Sequence, residues 1–181
     1  MTESVLVDED GAIRAMAERV IAENRNAGRT IALAESCTGG MIATALTDIP
    51  GSSDVLLAGF VTYADAAKQR VLGVSTEIIE TFGSVSVACA WAMASGAVLR
   101  GDADLAVAVS GIAGPDGGSE SKPVGTVVFS RAMRGQEPDD CYAIRKQFDC
   151  DAGRASIRRQ AALFALELLL PDKDGLRCTA A

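Results

Sequence analysis

The chain has 181 residues, a net charge of -7 and 49% hydrophobic residues, enough for one domain with a substantial apolar core. The acidic balance gives no basic footprint for a nucleic-acid backbone, and no apolar run is long enough to span a bilayer. There is no histidine, which removes Ser-His-Asp and Cys-His catalysis and most zinc chemistry.

The first expected element is an amphipathic helix over 9–27, with Ile13, Met16, Val20 and Ile21 on one face and Asn26, Ala27 and Gly28 at its end. The apolar run 30–34 reads as a buried strand. Glu35-Ser36-Cys37-Thr38-Gly39-Gly40 then leads into a helix over 41–47, for which Thr38 is the expected N-cap. Residues 56–63 read as a second strand, with short helices over 64–71 and 75–81. Ser86 is placed to cap a helix running to about residue 100. A strand over 103–110 opens into the glycine-rich stretch 111–122, followed by strands over 124–132 and 141–148. A last helix spans 153–170, Pro171 stops it, and the tail from residue 172 is polar and frayed. Helices alternating with apolar strands predict a three-layer α/β/α fold. The last two strands, joined by a loop alone, should be antiparallel, so the central sheet is expected to be mixed. We expect a single domain over 1–181, with its core in about 10–170.

The five cysteines, Cys37, Cys89, Cys141, Cys150 and Cys178, are odd in number, irregularly spaced and without a CxxC pair. A disulfide framework and a zinc site are therefore not expected. The start of the chain lacks a signal-type segment, so the expectation is a cytoplasmic protein.

Three segments have the residue types for chemistry. Glu35 to Gly40 leaves the carboxyl end of a strand and enters a helix, where open α/β sheets bind ligands. Ser36 and Thr38 supply hydroxyls there, and backbone N–H groups near Thr38, Gly39 and Gly40 suit an anion or an oxyanion. Tyr63 and Lys68 lie one helical turn apart, and in a chain without imidazole an amine or phenol is the natural base for a serine. The third segment, Ser110-Gly111-Ile112-Ala113-Gly114-Pro115-Asp116-Gly117-Gly118, exposes backbone donors as phosphate loops do, without a Walker A or GxGxxG pattern. Arg154, Arg158 and Arg159 begin the last helix. An arginine there suits a phosphate, although a helix N-terminus disfavours cations, and Arg158 and Arg159 also fit a merely solvated face. Cys37 is a rival nucleophile, because a helix N-terminus lowers a thiol pKa.

Together these segments resemble the CinA C-terminal domain family. The resemblance rests on Ala34-Glu35-Ser36-Cys37-Thr38-Gly39-Gly40, Asp48-Ile49-Pro50-Gly51-Ser52-Ser53, Gly59-Phe60-Val61-Thr62-Tyr63 with Ala67-Lys68, Leu72-Gly73-Val74, Gly83-Ser84-Val85-Ser86, the 110–118 loop and Lys122-Pro123-Val124-Gly125-Thr126-Val127. It runs in order through about residues 10–170. It implies hydrolysis of nicotinamide mononucleotide to nicotinate mononucleotide and ammonia, with no metal and no cofactor. It places a catalytic serine, tyrosine and lysine on Ser36, Tyr63 and Lys68. Thr38, Gly39, Gly40, Gly111, Ala113, Gly114 and Arg154 are the expected substrate contacts, with the 111–118 loop and Arg154 at ribose or phosphate. The family's Phe-x-Gly-x-Arg pattern is altered here: either Phe148 and Arg154 stand further apart, or Cys150 and Ala152 replace the Phe and the Gly. The resemblance also implies a homo-oligomer and a small pyridine mononucleotide as the partner. A reading of another class is a catalytically silent nucleotide-binding or interaction module of the same fold.

Overall fold

A computed structural model describes residues 8–137, 140, 142–173 and 175. Helix α1 (Glu9–Asn26) begins at Asp8, whose carboxylate accepts from the Gly11 N–H. It is followed by β1 (Ile31–Glu35), α2 (Met41–Thr47), β2 (Leu56–Val61), α3 (Asp65–Leu72), α4 (Thr76–Phe82) and α5 (Val87–Gly101). Strands β3 (Leu105–Gly111), β4 (Thr126–Met133) and β5 (Tyr142–Gln147) precede α6 (Gly153–Leu168). The Ser86 hydroxyl caps α5 by accepting from Cys89, as its sequence position predicts. Of the expected tail, 171–173 forms a short 3-10 turn, and 174 and 176–181 lie outside the described residues. So do Cys141 and Cys178.

The five strands lie in the order β2-β1-β3-β4-β5. Strand β1 is parallel to β2 and β3, whereas β3–β4 and β4–β5 are antiparallel. The sheet is therefore mixed, as the loop-only connection between the last strands predicts. Side-chain alternation divides the core between two faces. Leu33, Val107, Val109 and Phe129 meet α1, α2 and α6 on one face. Ala32, Ala34, Ala106 and Ala108 meet α5 on the other, with Cys89, Met93 and Ala97 opposite them. The result is the expected three-layer α/β/α arrangement. Small residues on the second face let α5 lie close to the sheet. At Gly96 a Cβ would fall 2.0 Å from the Leu72 carbonyl oxygen, so a bare α-carbon permits the contact between α5 and the end of α3. That contact sets the position of α3, and with it Lys68.

Strand β2 ends at Val61, so Thr62 and Tyr63 follow the strand instead of completing it. The Thr62 N–H still donates to the Glu35 carbonyl, which continues the parallel ladder by one hydrogen bond.

Candidate active site

The carboxyl ends of β1, β2 and β3 lie side by side, and the loops after them meet at one edge of the sheet. Ser36 is the residue after β1. Its N–H donates to the Val109 carbonyl at 3.0 Å, so the β1–β3 register carries on and sets Ser36 opposite Ser110. By alternation Ser36 belongs to the face of Ala32 and Ala34, toward α5. It is buried, at 7% exposure.

The turn from Ser36 to Gly40 is held from several sides. Gly40 is the N-cap of α2 in a left-handed conformation, φ 91°, which favours glycine. Thr38, the N-cap expected from sequence, does not cap α2. The α2 amides are instead capped by Glu35, whose buried carboxylate accepts from Gly40 (3.0 Å), Ile42 (3.2 Å) and Ala43 (2.9 Å). A carboxylate at the strand end reaches more of the free N–H groups than a threonine hydroxyl within the turn. Its negative charge also complements the helix dipole. Glu35→Ala is expected to lower stability by about 3 kcal/mol, because three buried or half-buried amides lose a charged acceptor. That corresponds to roughly 6–12 °C in thermal denaturation. An unchanged melting temperature would refute this capping role.

Arg158 holds the same turn from α6. Its Nε donates to the Cys37 carbonyl (3.0 Å) and Nη2 to the Thr38 carbonyl (2.8 Å). Arg158 is therefore not simply solvated, the second reading its place in α6 allowed. Arg159 stays on the solvated face, where it pairs with the exposed Asp10 at 2.7 Å. A cavity of about 490 Å³ lies behind the turn, lined by Asp10, Arg14, Gly39, Gly40, Asp48 and Arg158 among others. It sits between α1, α2 and α6, and none of Ser36, Tyr63 and Lys68 lines it.

Of the amides expected to face an oxyanion, Gly39 N–H donates to the Ser36 carbonyl and Gly40 N–H to Glu35. The Thr38 N–H has no such engagement among the described residues. Cys37 is buried in the core on the α6 side, and loss of hydration pushes its thiol up to about 11, against the smaller opposing effects of its own amide, Arg158 and Arg154. The expectation of a lowered thiol pKa therefore fails. Burial outweighs the helix terminus, whose amides are in any case already neutralised by Glu35.

Lys68 is buried at 2% exposure, and its Nζ donates to the Tyr63 carbonyl (3.1 Å) and to Asp65 Oδ1 (3.3 Å). It lies on the α5 face near Cys89, whose thiol is raised to about 11 mainly by burial and is pulled back slightly by the Lys68 charge. Tyr63 is 61% exposed, and its hydroxyl accepts from Arg154 Nη2 at 3.1 Å. Lys68 thus meets Tyr63 at the backbone, not at the phenol. No hydrogen bond among the described residues joins the Ser36 hydroxyl to either of them.

Arg154 also donates from Nη1 to the Gly114 carbonyl (2.7 Å), so it ties α6 to both the glycine loop and Tyr63. Gly111 is the last residue of β3 and pairs with Val127, and Ala113 is part of the core. Gly114 therefore contributes a carbonyl to the rim of the site, whereas Gly111 and Ala113 serve strand pairing and packing. The described residues also bring Asp149, Cys150 and Asp151 together within 4.8 Å, all exposed and beyond the other end of β5 from Tyr142.

The carboxyl edge of the parallel strands thus carries a buried serine, a buried lysine and a guanidinium at its rim. The CinA C-terminal domain family profile matches residues 13–172, and the chain belongs to that family. Nicotinamide-nucleotide amidohydrolase PncC of Enterobacter agglomerans is 49% identical over 145 residues, covering 80% of this chain and 85% of that protein. A putative competence-damage inducible protein of Symbiobacterium thermophilum is 48% identical over 156 residues, covering 83% of this chain. The chain spans only 35% of that protein and 33% of a CinA-like protein of Syntrophotalea carbinolica, about a third of each. Among solved structures, the competence/damage inducible protein CihA of Agrobacterium tumefaciens superposes with a TM-score of 0.83 at 46% identity, covering 88% of this chain and 94% of that one. The competence damage-inducible protein A of Klebsiella pneumoniae gives a TM-score of 0.81 at 35% identity, covering 87% and 94%.

Proposed function

We propose that this chain hydrolyses the carboxamide of nicotinamide mononucleotide, giving nicotinate mononucleotide and ammonia. The observation that carries the reading is the alignment with the Enterobacter amidohydrolase, which spans 85% of that protein's length. The buried Ser36 and Lys68 on one face of the sheet edge support it.

Ser36 Oγ attacks the amide carbon, and its proton passes to Lys68 Nζ. The tetrahedral oxyanion is held by the Thr38 N–H. Lys68 returns the proton to the nitrogen as the C–N bond breaks, and ammonia leaves. Water then gives a proton to Lys68 and attacks the acyl carbon, and Ser36 recovers its hydrogen. Tyr63 and Arg154 stand at the mouth, where the phenol faces the pyridine and the guanidinium exchanges the Gly114 carbonyl for phosphate. The active form in this reading is a self-associating single domain in the cytoplasm that needs neither cofactor nor metal. Exposed Leu57 and Val61 on edge strand β2 support self-association. No helix of the described residues is long and apolar enough to cross a membrane.

The test is ammonia release by the purified protein from nicotinamide mononucleotide, with free nicotinamide as the contrast. Stoichiometric ammonia and nicotinate mononucleotide are expected from the nucleotide. Binding without turnover would instead favour a silent nucleotide-binding module.

A further inference from the structure

The side chain of Thr62 is buried, at 1% exposure, and its hydroxyl has no hydrogen-bond partner. Burial does not by itself explain the choice of threonine, since valine has the same shape without a polar atom to leave unpaired. Three observations place this hydroxyl. Alternation along β2 puts Thr62 on the side of Ala58 and Phe60, which pack against the α5 cluster. The Thr62 N–H bonds to the carbonyl of Glu35, one residue before Ser36, so Thr62 and Ser36 sit at matching heights on adjacent parallel strands. Such strands lie about 4.8 Å apart. Lys68 approaches from α3 on the same side, and its Nζ already bonds to the carbonyl of the next residue, Tyr63. Thr62 is therefore the strand neighbour of the serine and the chain neighbour of the residue whose carbonyl holds the lysine, with a hydroxyl engaged by neither in the resting structure.

We propose that Thr62 is a positioning residue, whose hydroxyl accepts an N–H from the neutral Lys68 amine in place of Asp65 and donates to Ser36 Oγ, holding the two reacting groups in line with the amine lone pair free for the serine proton. This rests on the serine–lysine reading above. No proton changes owner at Thr62. The hydroxyl fixes the amine's direction and leaves the serine proton aimed at the nitrogen. The same arrangement accounts for the unpaired state of Thr62, which is completed when Ser36 and Lys68 close on a substrate.

The experiment compares Thr62→Val and Thr62→Ser with the unaltered protein in two assays. In turnover of nicotinamide mononucleotide, Thr62→Val is expected to lower kcat about 10- to 100-fold with KM changed less than about twofold, since a small misalignment of reacting groups costs rate, not binding. Its melting temperature should be equal or higher, because an unpaired buried hydroxyl is replaced by a methyl. Thr62→Ser should recover the rate to within about threefold, because the hydroxyl is retained. In the second assay, a fluorophosphonate labels Ser36 directly, and Thr62→Val is expected to slow that labelling by a similar factor. Equal labelling and equal kcat in wild type and Thr62→Val would overturn the positioning role alone. Absence of Ser36 labelling in the wild type would overturn the nucleophile assignment and the positioning role with it. A slow Thr62→Ser variant would assign the effect to packing and overturn the proposal.

Discussion

Ser36→Ala is expected to reduce ammonia release from nicotinamide mononucleotide by at least about 10⁴-fold, with thermal stability unchanged to within about 0.5 kcal/mol. The two halves of this expectation have separate causes. In the proposed mechanism the rate depends on an oxygen that forms and breaks a bond to carbon, and the nearest other nucleophile is poorly placed to replace it. Cys37 is adjacent but points into the core on the other face, with its thiol raised to about 11. At pH 7.5 its thiolate fraction is on the order of 10⁻³ or less. Stability is insensitive because the Ser36 hydroxyl makes no hydrogen bond among the described residues, while its backbone N–H, which does, is kept in alanine. Residual activity above a hundredth of wild type would remove the serine from the mechanism. If that residue of activity were abolished by alkylating Cys37, the nucleophile would be the thiol.

How much of this site can be read from sequence depends on the range of the interaction involved. Strand β1 and helix α2 follow from local patterning, since apolar 30–34 and the Gly39-Gly40 break are visible in the chain itself. So is the Ser86 cap, a hydroxyl three residues before its partner amide. The α2 cap is not legible in the same way. Thr38 has the usual residue type and position for a local cap, but Glu35 reaches over from the strand end to three amides up to eight residues away. A buried strand closing on a lone carboxylate before Gly-Gly was the available signal. The same limit governs Cys37, where a helix-terminus argument omits burial that only tertiary packing creates. It governs Arg158 too. Dipole reasoning sees a cation at an unfavourable helix end, whereas the fold brings the Cys37 and Thr38 carbonyls to it. The spacing to Tyr63 points to Lys68 from the sequence. Its burial against α5 depends on the close α3–α5 approach at Gly96, which no local pattern announces.

That burial makes Lys68→Met the sharper test of the base. Methionine nearly matches the lysine stem, so the space against α5 stays filled. The Tyr63 carbonyl loses one N–H donor, a cost of about 1 kcal/mol, and the relief of burying a charge works in the opposite direction. Asp65 is half exposed and finds water. Net stability should therefore move by no more than about 1–2 kcal/mol, measured by urea denaturation, while kcat falls about 10³-fold through loss of the proton acceptor. Lys68→Arg separates the two things a lysine supplies. A guanidinium keeps the positive charge but does not release its proton. If the amine acts as base, the arginine variant is as slow as the methionine variant. If the site needs only a cation to stabilise the oxyanion, arginine retains most of the rate, and proton transfer must be assigned elsewhere, with the Tyr63 phenol as the remaining group in reach of the mouth.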